Sequence, residues 1–138
     1  MAAMNWLFKE EPSNYSFDTF VKDKQTTWSG VKNPVAQRNL RSVKKGDQVF
    51  YYHTGDEKQI VGIGEVIREA FTDPSAEKGE PWVAVQTIAD KPLPKPVTLA
   101  TVKAEAKLKA MALVKYGRLS VQPVTADEWK IVCKLGGL

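Results

Sequence analysis

Apolar positions fall along this chain in two rhythms. Asn5-Trp-Leu-Phe-Lys9 is a short aromatic run and predicts a strand, ended by Pro12. Phe17, Phe20 and Val21 follow Ser16 at three-to-four spacing, which predicts a short capped helix. Asn33-Pro34 is a helix start, with asparagine as N-cap and proline in the first turn. Ala36, Leu40 and Val43 continue at helical spacing, and Gly46 closes the segment. The β-formers from Gln48 to Thr54 and from Ile60 to Arg68 flank a Gly55–Lys58 turn, so they predict a hairpin. Thr72 to Pro81 reads as a loop and Pro81 to Ala89 as a further strand. Lys91 to Pro96 carries three prolines in six residues and predicts a stiff connector, not a strand interior. Thr98 heads one short helix and Lys107 to Val114 forms a second. Thr125 to Glu128 is a capping box; Trp129, Val132 and Cys133 share a face, and Gly136 stops the helix. The order predicts one α+β domain over residues 1–138, a curved sheet or small barrel flanked by short helices.

With 138 residues, a core forms without staples, and 43% hydrophobic with 26% charged residues is ordinary for a globular chain. No apolar run approaches the roughly 20 residues a membrane helix needs. The first residues lack the basic and apolar regions of a secretory signal. One cysteine excludes an internal disulfide framework and a multi-cysteine zinc site. The expected location is the cytoplasm. The net charge of +4 is concentrated. Lys32 to Asp47 holds five basic residues and one acid, and Lys91 to Arg118 holds seven and one. Such patches attract phosphate, and equally serve as solvated surface.

Catalytic signals are sparse. The one histidine, His53, lies in a strand with Tyr51 and Tyr52, where a hydrogen-bonded structural role is the commoner one. Cys133 sits on an apolar helix face and reads as inert core. Adjacent Glu10 and Glu11 on a strand point to opposite sides, so they do not share a site. Gly62 and Gly64 lack the third glycine and helix of a phosphate loop, and instead signal a close approach or a bulge. Binding signals are richer. Trp28, in the polar stretch QTTWSGVKN, is either core or a flat wall for a base. Arg38, Arg41, Lys44 and Lys45 follow on the next helix, placed to track a phosphate backbone. Gly117 to Val124 (GRLSVQPV) sets Arg, Ser and Gln in a stiff apolar context, or is a loop packing the last helix.

These segments together resemble the EVE domain family. Trp28-Ser-Gly-Val-Lys-Asn33 is similar to its Trp-x-Gly-Val-Arg-Asn signature. Phe50-Tyr-Tyr-His-Thr54 and Ile60-Val-Gly-Ile-Gly-Glu-Val66 resemble its central run, and Ala70-Phe-Thr-Asp-Pro74 its Ala-Tyr-Pro-Asp-Pro. GRLSVQPV looks like its late motif and Lys9-Glu-Glu-Pro12 its Lys-Ser-Glu-Pro. The likeness runs in order over residues 4–136.

The resemblance implies a PUA-like curved mixed sheet or pseudo-barrel, related to YTH domains. It implies a non-catalytic monomer without cofactor or metal that reads a modified, methylated base of DNA or RNA, flipped or single-stranded. Carried over by position, Trp28, Val31, Lys32 and Asn33 line the pocket mouth. Lys9 and Glu11 come from the first strand, and Tyr52, His53 and Thr54 from a strand end. Arg118, Ser120, Gln122 and Pro123 close the far side. Glu10, Lys32, Gln37 and Thr54 depart from the pattern, and Lys32 gives up the planar fork of an arginine. The alternatives are a PUA-type module for structured unmodified RNA, or a small-molecule or nucleotide sensor.

Overall fold

The computed structural model describes residues 4–138. Six strands form one curved mixed sheet: β1 (Asn5–Glu10), β2 (Gln25–Trp28), β3 (Gln48–His53), β4 (Gln59–Thr72), β5 (Val83–Thr98) and β6 (Val121–Val124). The strand order is β2-β5-β4-β3-β1-β6. Only β1 and β3 run parallel, with Lys9 beside Tyr52 and Glu10 beside His53. Among the described residues five α-helices surround the sheet: α1 (Phe17–Asp23), α2 (Pro34–Ser42), α3 (Leu99–Ala104), α4 (Ala112–Lys115) and α5 (Ala126–Leu135). None is long and apolar enough, among the described residues, to cross a membrane.

Alternation in the two central strands builds a core on each face. Trp6 and Phe8 of β1, with Val49 and Tyr51 of β3, pack against Phe17, Phe20, Trp28, Ala36 and Leu40. Leu7, Phe50 and Tyr52 face the other way, onto Val102, Leu108, Met111 and Val132. Covering both faces explains why VFYY is an unbroken apolar run. Asp47 fastens this centre. Its buried carboxylate accepts from Trp6 Nε1 at 2.8 Å and from the Lys44 N–H at 2.9 Å.

The long β4–β5 pair reaches both cores because its register shifts at several points. Such bulges bend and twist a strand. Gly62 and Gly64 are the close-approach positions expected of them. A Cβ at Gly62 would lie 2.2 Å from the Phe17 ring, and one at Gly64 would lie 3.0 Å from the Ile88 carbonyl.

Two segments differ from expectation. Lys91–Pro96 is not a connector but part of β5. Pairing passes from Gly62↔Pro92 to Ile60↔Val97, so residues 93–96 bulge out of the ladder. Prolines are tolerated there because the ladder asks no N–H of them. The Lys95 N–H goes instead to the Gly136 carbonyl at 3.0 Å. The helix expected over Lys107–Val114 is broken into a 3-10 turn (Ala106–Leu108) and α4. Leu108, Met111 and Leu113 are all buried, and a single helix would turn Leu113 away from the other two.

Candidate nucleic-acid interface

The segment from Trp28 to Asn33 is held from three directions. Asn33 Oδ1 caps α2 by accepting from the Val35 and Ala36 N–H groups at 2.9 and 3.0 Å. Gln37, buried in the first turns of α2, donates to the Val31 and Val83 carbonyls and accepts from the Val83 N–H. An arginine here would bring a charge into this buried position; the glutamine satisfies three backbone groups without one. The Gly30 N–H donates to Asp73 Oδ2 at 2.7 Å. Gly30 has φ +74°, a left-handed conformation that suits glycine. The motif around Asp73 therefore pins the motif around Gly30.

Burial would raise the Asp73 pKa, but donors outweigh it: the Ser75 hydroxyl, the Gly30 and Ser75 N–H groups, and nearby Lys32 hold it below the ordinary 3.8. A depressed carboxyl contributes stability above its unfolded pKa and loses it as pH falls through the folded value. The Tm gap between the native chain and Asp73→Asn should therefore be widest near neutral pH and narrow below pH 3.8. A gap that grows on acidification would contradict this assignment.

The structure buries five of the expected base-binding residues: Trp28, Val31, Tyr52, His53 and Gln122. Trp28 ends the edge strand β2, opposite Val85, and is only 7% exposed. Its ring lies 5.1 Å from Phe8 and edge-on to Tyr51 at 5.6 Å, so the core alternative describes it. Val31 joins the same core. His53 Nε2 accepts from the Phe17 N–H at 3.0 Å, and Nδ1 pairs with Glu57 at 2.9 Å. The ring proton therefore sits on Nδ1, and both nitrogens are engaged, one at the start of α1 and the other at the β3–β4 turn. Gln122 is fully buried and donates to the Tyr116 and Leu119 carbonyls at 3.0 and 2.9 Å. Cys133 packs in the other core, and burial pushes its thiol pKa up.

Eight of the candidates, with only the edge of Tyr52 showing, line or adjoin two clefts that meet at Gly117. The larger is a groove of about 640 Å³ between α2 and the residues from α4 to β6. It collects Asn33, Arg38, Arg118 and Pro123, drawn from two distant stretches of the chain. It also holds Tyr116, 58% exposed, and Val35, 42% exposed. Sequence reasoning missed Tyr116; its one signal was an aromatic immediately before GRLSVQPV. The smaller cleft, about 230 Å³, collects Lys9, Tyr52 and Thr54. Glu11 adjoins it, accepting from Thr54 Oγ1 at 3.4 Å.

The remaining candidates lie apart. Lys32 is exposed beside Asp73. The Ser120 carbonyl accepts from the Lys9 N–H at 2.9 Å. Of the four cations assigned to a phosphate backbone, Arg38 alone lines the groove. Arg41 donates to the Pro81 carbonyl at 2.8 Å, and Lys44 pairs with Glu69 at 3.8 Å. The Lys45 N–H donates to the same Glu69 at 3.2 Å.

Comparison with known proteins places this geometry. A Rhodopseudomonas palustris protein solved by NMR is 52% identical, with TM-score 0.92 over 98% of this chain and 94% of that one. Human thymocyte nuclear protein 1 is 30% identical over 95% of this chain and 73% of its own length. The human THYN1 protein in complex with 5-methylcytosine containing DNA is 28% identical, with TM-score 0.90 over 99% of both chains. A YTH domain of Zygosaccharomyces rouxii, 13% identical with TM-score 0.63, shares the fold over 99% of this chain and 88% of that one. The EVE domain matches residues 4–135, and by that match this chain belongs to the EVE domain family.

Proposed function

We propose that this chain is a non-catalytic module that binds a modified base of a nucleic acid in the groove between α2 and β6. One observation carries the reading: human THYN1, with the same fold over 99% of this chain, is complexed with DNA containing 5-methylcytosine. The groove supplies what such binding needs. Tyr116 offers an exposed aromatic face, and base stacking on an aromatic contributes about 1–3 kcal/mol. Arg38 and Arg118 flank it as phosphate partners. Asn33 stands at the mouth, and Trp28 and Val31 support the segment from beneath. An acid–base role for His53 is disfavoured because both ring nitrogens are engaged.

A buried methyl group contributes only about 0.8 kcal/mol, roughly a fourfold preference. Discrimination beyond that must come from polar contacts to the base edge. Taking the base out of a duplex costs a few kcal/mol, so single-stranded or weakened sites are the favoured substrates.

The test is equilibrium binding at fixed low salt to matched single- and double-stranded DNA and RNA, with and without 5-methylcytosine, 5-hydroxymethylcytosine and N6-methyladenine. A preference for one modified member, weakened about tenfold or more by Tyr116→Ala, is the expected result. Arg38→Ala and Arg118→Ala should each lower the salt slope by roughly 0.7 to 0.9, as one phosphate contact does. Equal binding to every member would replace base reading with backbone recognition. Tyr116→Ala and Arg118→Ala binding as tightly as the native chain would remove the groove from the interface.

A further inference from the structure

We propose that the smaller cleft, on the opposite face of the sheet from α2, is a phosphate-binding site built from Lys9, Lys58, Thr54 and the edge of Tyr52. It stands independently of the base groove. Lys9 is partly buried along its stem, and its Nζ lies 5.6 Å from the Tyr52 ring centre and donates to the Gly117 carbonyl at 2.8 Å in an exposed hydrogen bond. Among the described residues no carboxylate lies within 4.0 Å of it. An ammonium held at the cleft by one carbonyl and one ring keeps donors to spare, and an anion is the partner that takes them up. Burial accordingly lowers the Lys9 pKa.

Lys58 also lines the cleft, so a second lysine is available to it. Its backbone has φ +47°, an uncommon conformation for a lysine. The turn is tied down there, because its carbonyl accepts from the Leu99 N–H at 2.8 Å. Thr54 lines the rim, its hydroxyl shared with Glu11 Oε2 at 3.4 Å. Glu11, on the Gly55 side, keeps the cleft from being uniformly positive and favours an anion seated toward the lysines.

The charge around the cleft agrees. Lys91 to Arg118 holds seven basic residues and one acid, which the base groove does not use except at Arg118. Leu99 and Leu113, from the α3 and α4 ends of this run, line the cleft. Exposed Lys103, Lys107, Lys109 and Lys115 lie on the same stretch of chain. Gly117 lines both clefts, so a strand whose base sits in the groove has its neighbouring phosphates within reach of the second one. A free phosphate or phosphomonoester presents the same chemistry.

The experiment is a backbone-amide NMR titration of the intact chain with inorganic phosphate at constant ionic strength. Saturable shifts at Tyr52, Thr54, Gly55, Lys58 and Gly117 are expected. Lys58→Gln, an exposed substitution, and Lys9→Met, which keeps the aliphatic stem, should each weaken binding about tenfold, as loss of one charge-assisted hydrogen bond does. Absence of saturable shifts at these amides would overturn the site, as would equal affinity in both variants. Repeating the titration with a saturating unmodified single-stranded oligonucleotide separates the sources. Displacement of phosphate assigns the cleft to the backbone of a bound strand, and undisturbed phosphate binding assigns it to a free phosphate group.

Discussion

Trp28→Ala is expected to destabilise the fold by about 3–5 kcal/mol, the usual cost of deleting a buried aromatic side chain. Trp28 packs against Phe8 and Tyr51 and borders a void of about 10 Å³ shared with Phe20 and Val49. That void is at the lower limit for holding one water, so little slack exists for the neighbours to reorganise. Domains of this size are stable by about 5–15 kcal/mol, so the variant would retain only part of its folded population. Urea unfolding followed by far-UV circular dichroism measures the loss. A change below about 1 kcal/mol would mean that the indole contributes little to the core and is free to meet a base. The result bears on function, because lost nucleic-acid binding in Trp28→Ala would report unfolding as readily as lost stacking. Trp28→Phe, which keeps a ring in the core, and Tyr116→Ala, at an exposed side chain, are the variants that separate the two.

Gly62→Ala is the second large effect. One added methyl would stand 2.2 to 2.5 Å from three carbons of the Phe17 ring. Phe17 cannot retreat easily: it is 3% exposed, edge-on to Phe20 at 5.9 Å and to Tyr51 at 5.6 Å. Its own N–H is held by His53. Overpacking of a tight core costs typically about 1–3 kcal/mol, and here the upper end is expected because the contact is with a ring fixed on several sides. A double-mutant cycle with Phe17→Ala isolates the clash. The second substitution should cost less in the Gly62→Ala background than alone, since it removes the obstructing ring. Additive losses would place the cost in the β4 backbone instead.

Much of this fold was legible because its signals are local. The Thr125 capping box forms as written: Thr125 Oγ1 accepts from the Glu128 N–H at 3.1 Å, and Glu128 Oε1 from the Thr125 N–H at 3.0 Å. Asn33-Pro34 and Thr98 open helices where their side chains cap the backbone. The β3–β4 hairpin pairs as its turn predicts. The strand β2 was not legible. Four residues, Gln25 to Trp28, carry too little alternation, and their partners lie in Val85 to Ile88. The prolines of β5 read as a break because a one-dimensional pattern does not reveal which bulged positions owe no hydrogen bond.

The candidate site divides the same way. The residues themselves were found by motif, and the groove does assemble Asn33, Arg38, Arg118 and Pro123 from distant segments. Their grouping was not visible. Lys9, Tyr52 and Thr54 fall in a second cleft because β1 and β3 alternate, and a side chain one position along points to the other face. His53 and Glu10 share the register of β1 with β3 one step beyond Tyr52 and Lys9.

By itself, then, the amino-acid order determined where helices start, where the central hairpin turns, the excess of basic charge and the likeness to EVE domains. Those properties reside in a few neighbouring residues or in ordered motifs. The tertiary structure decided that Trp28 is core, that Tyr116 is exposed, and that Arg38 and Arg118 line one cleft while Lys9 and Lys58 line another. Burial and proximity depend on partners remote in the chain: Trp6 is fixed by Asp47, and Lys9 by Gly117. No local pattern carries that information, because the free energy that selects such contacts exists only once the sheet has closed around both cores.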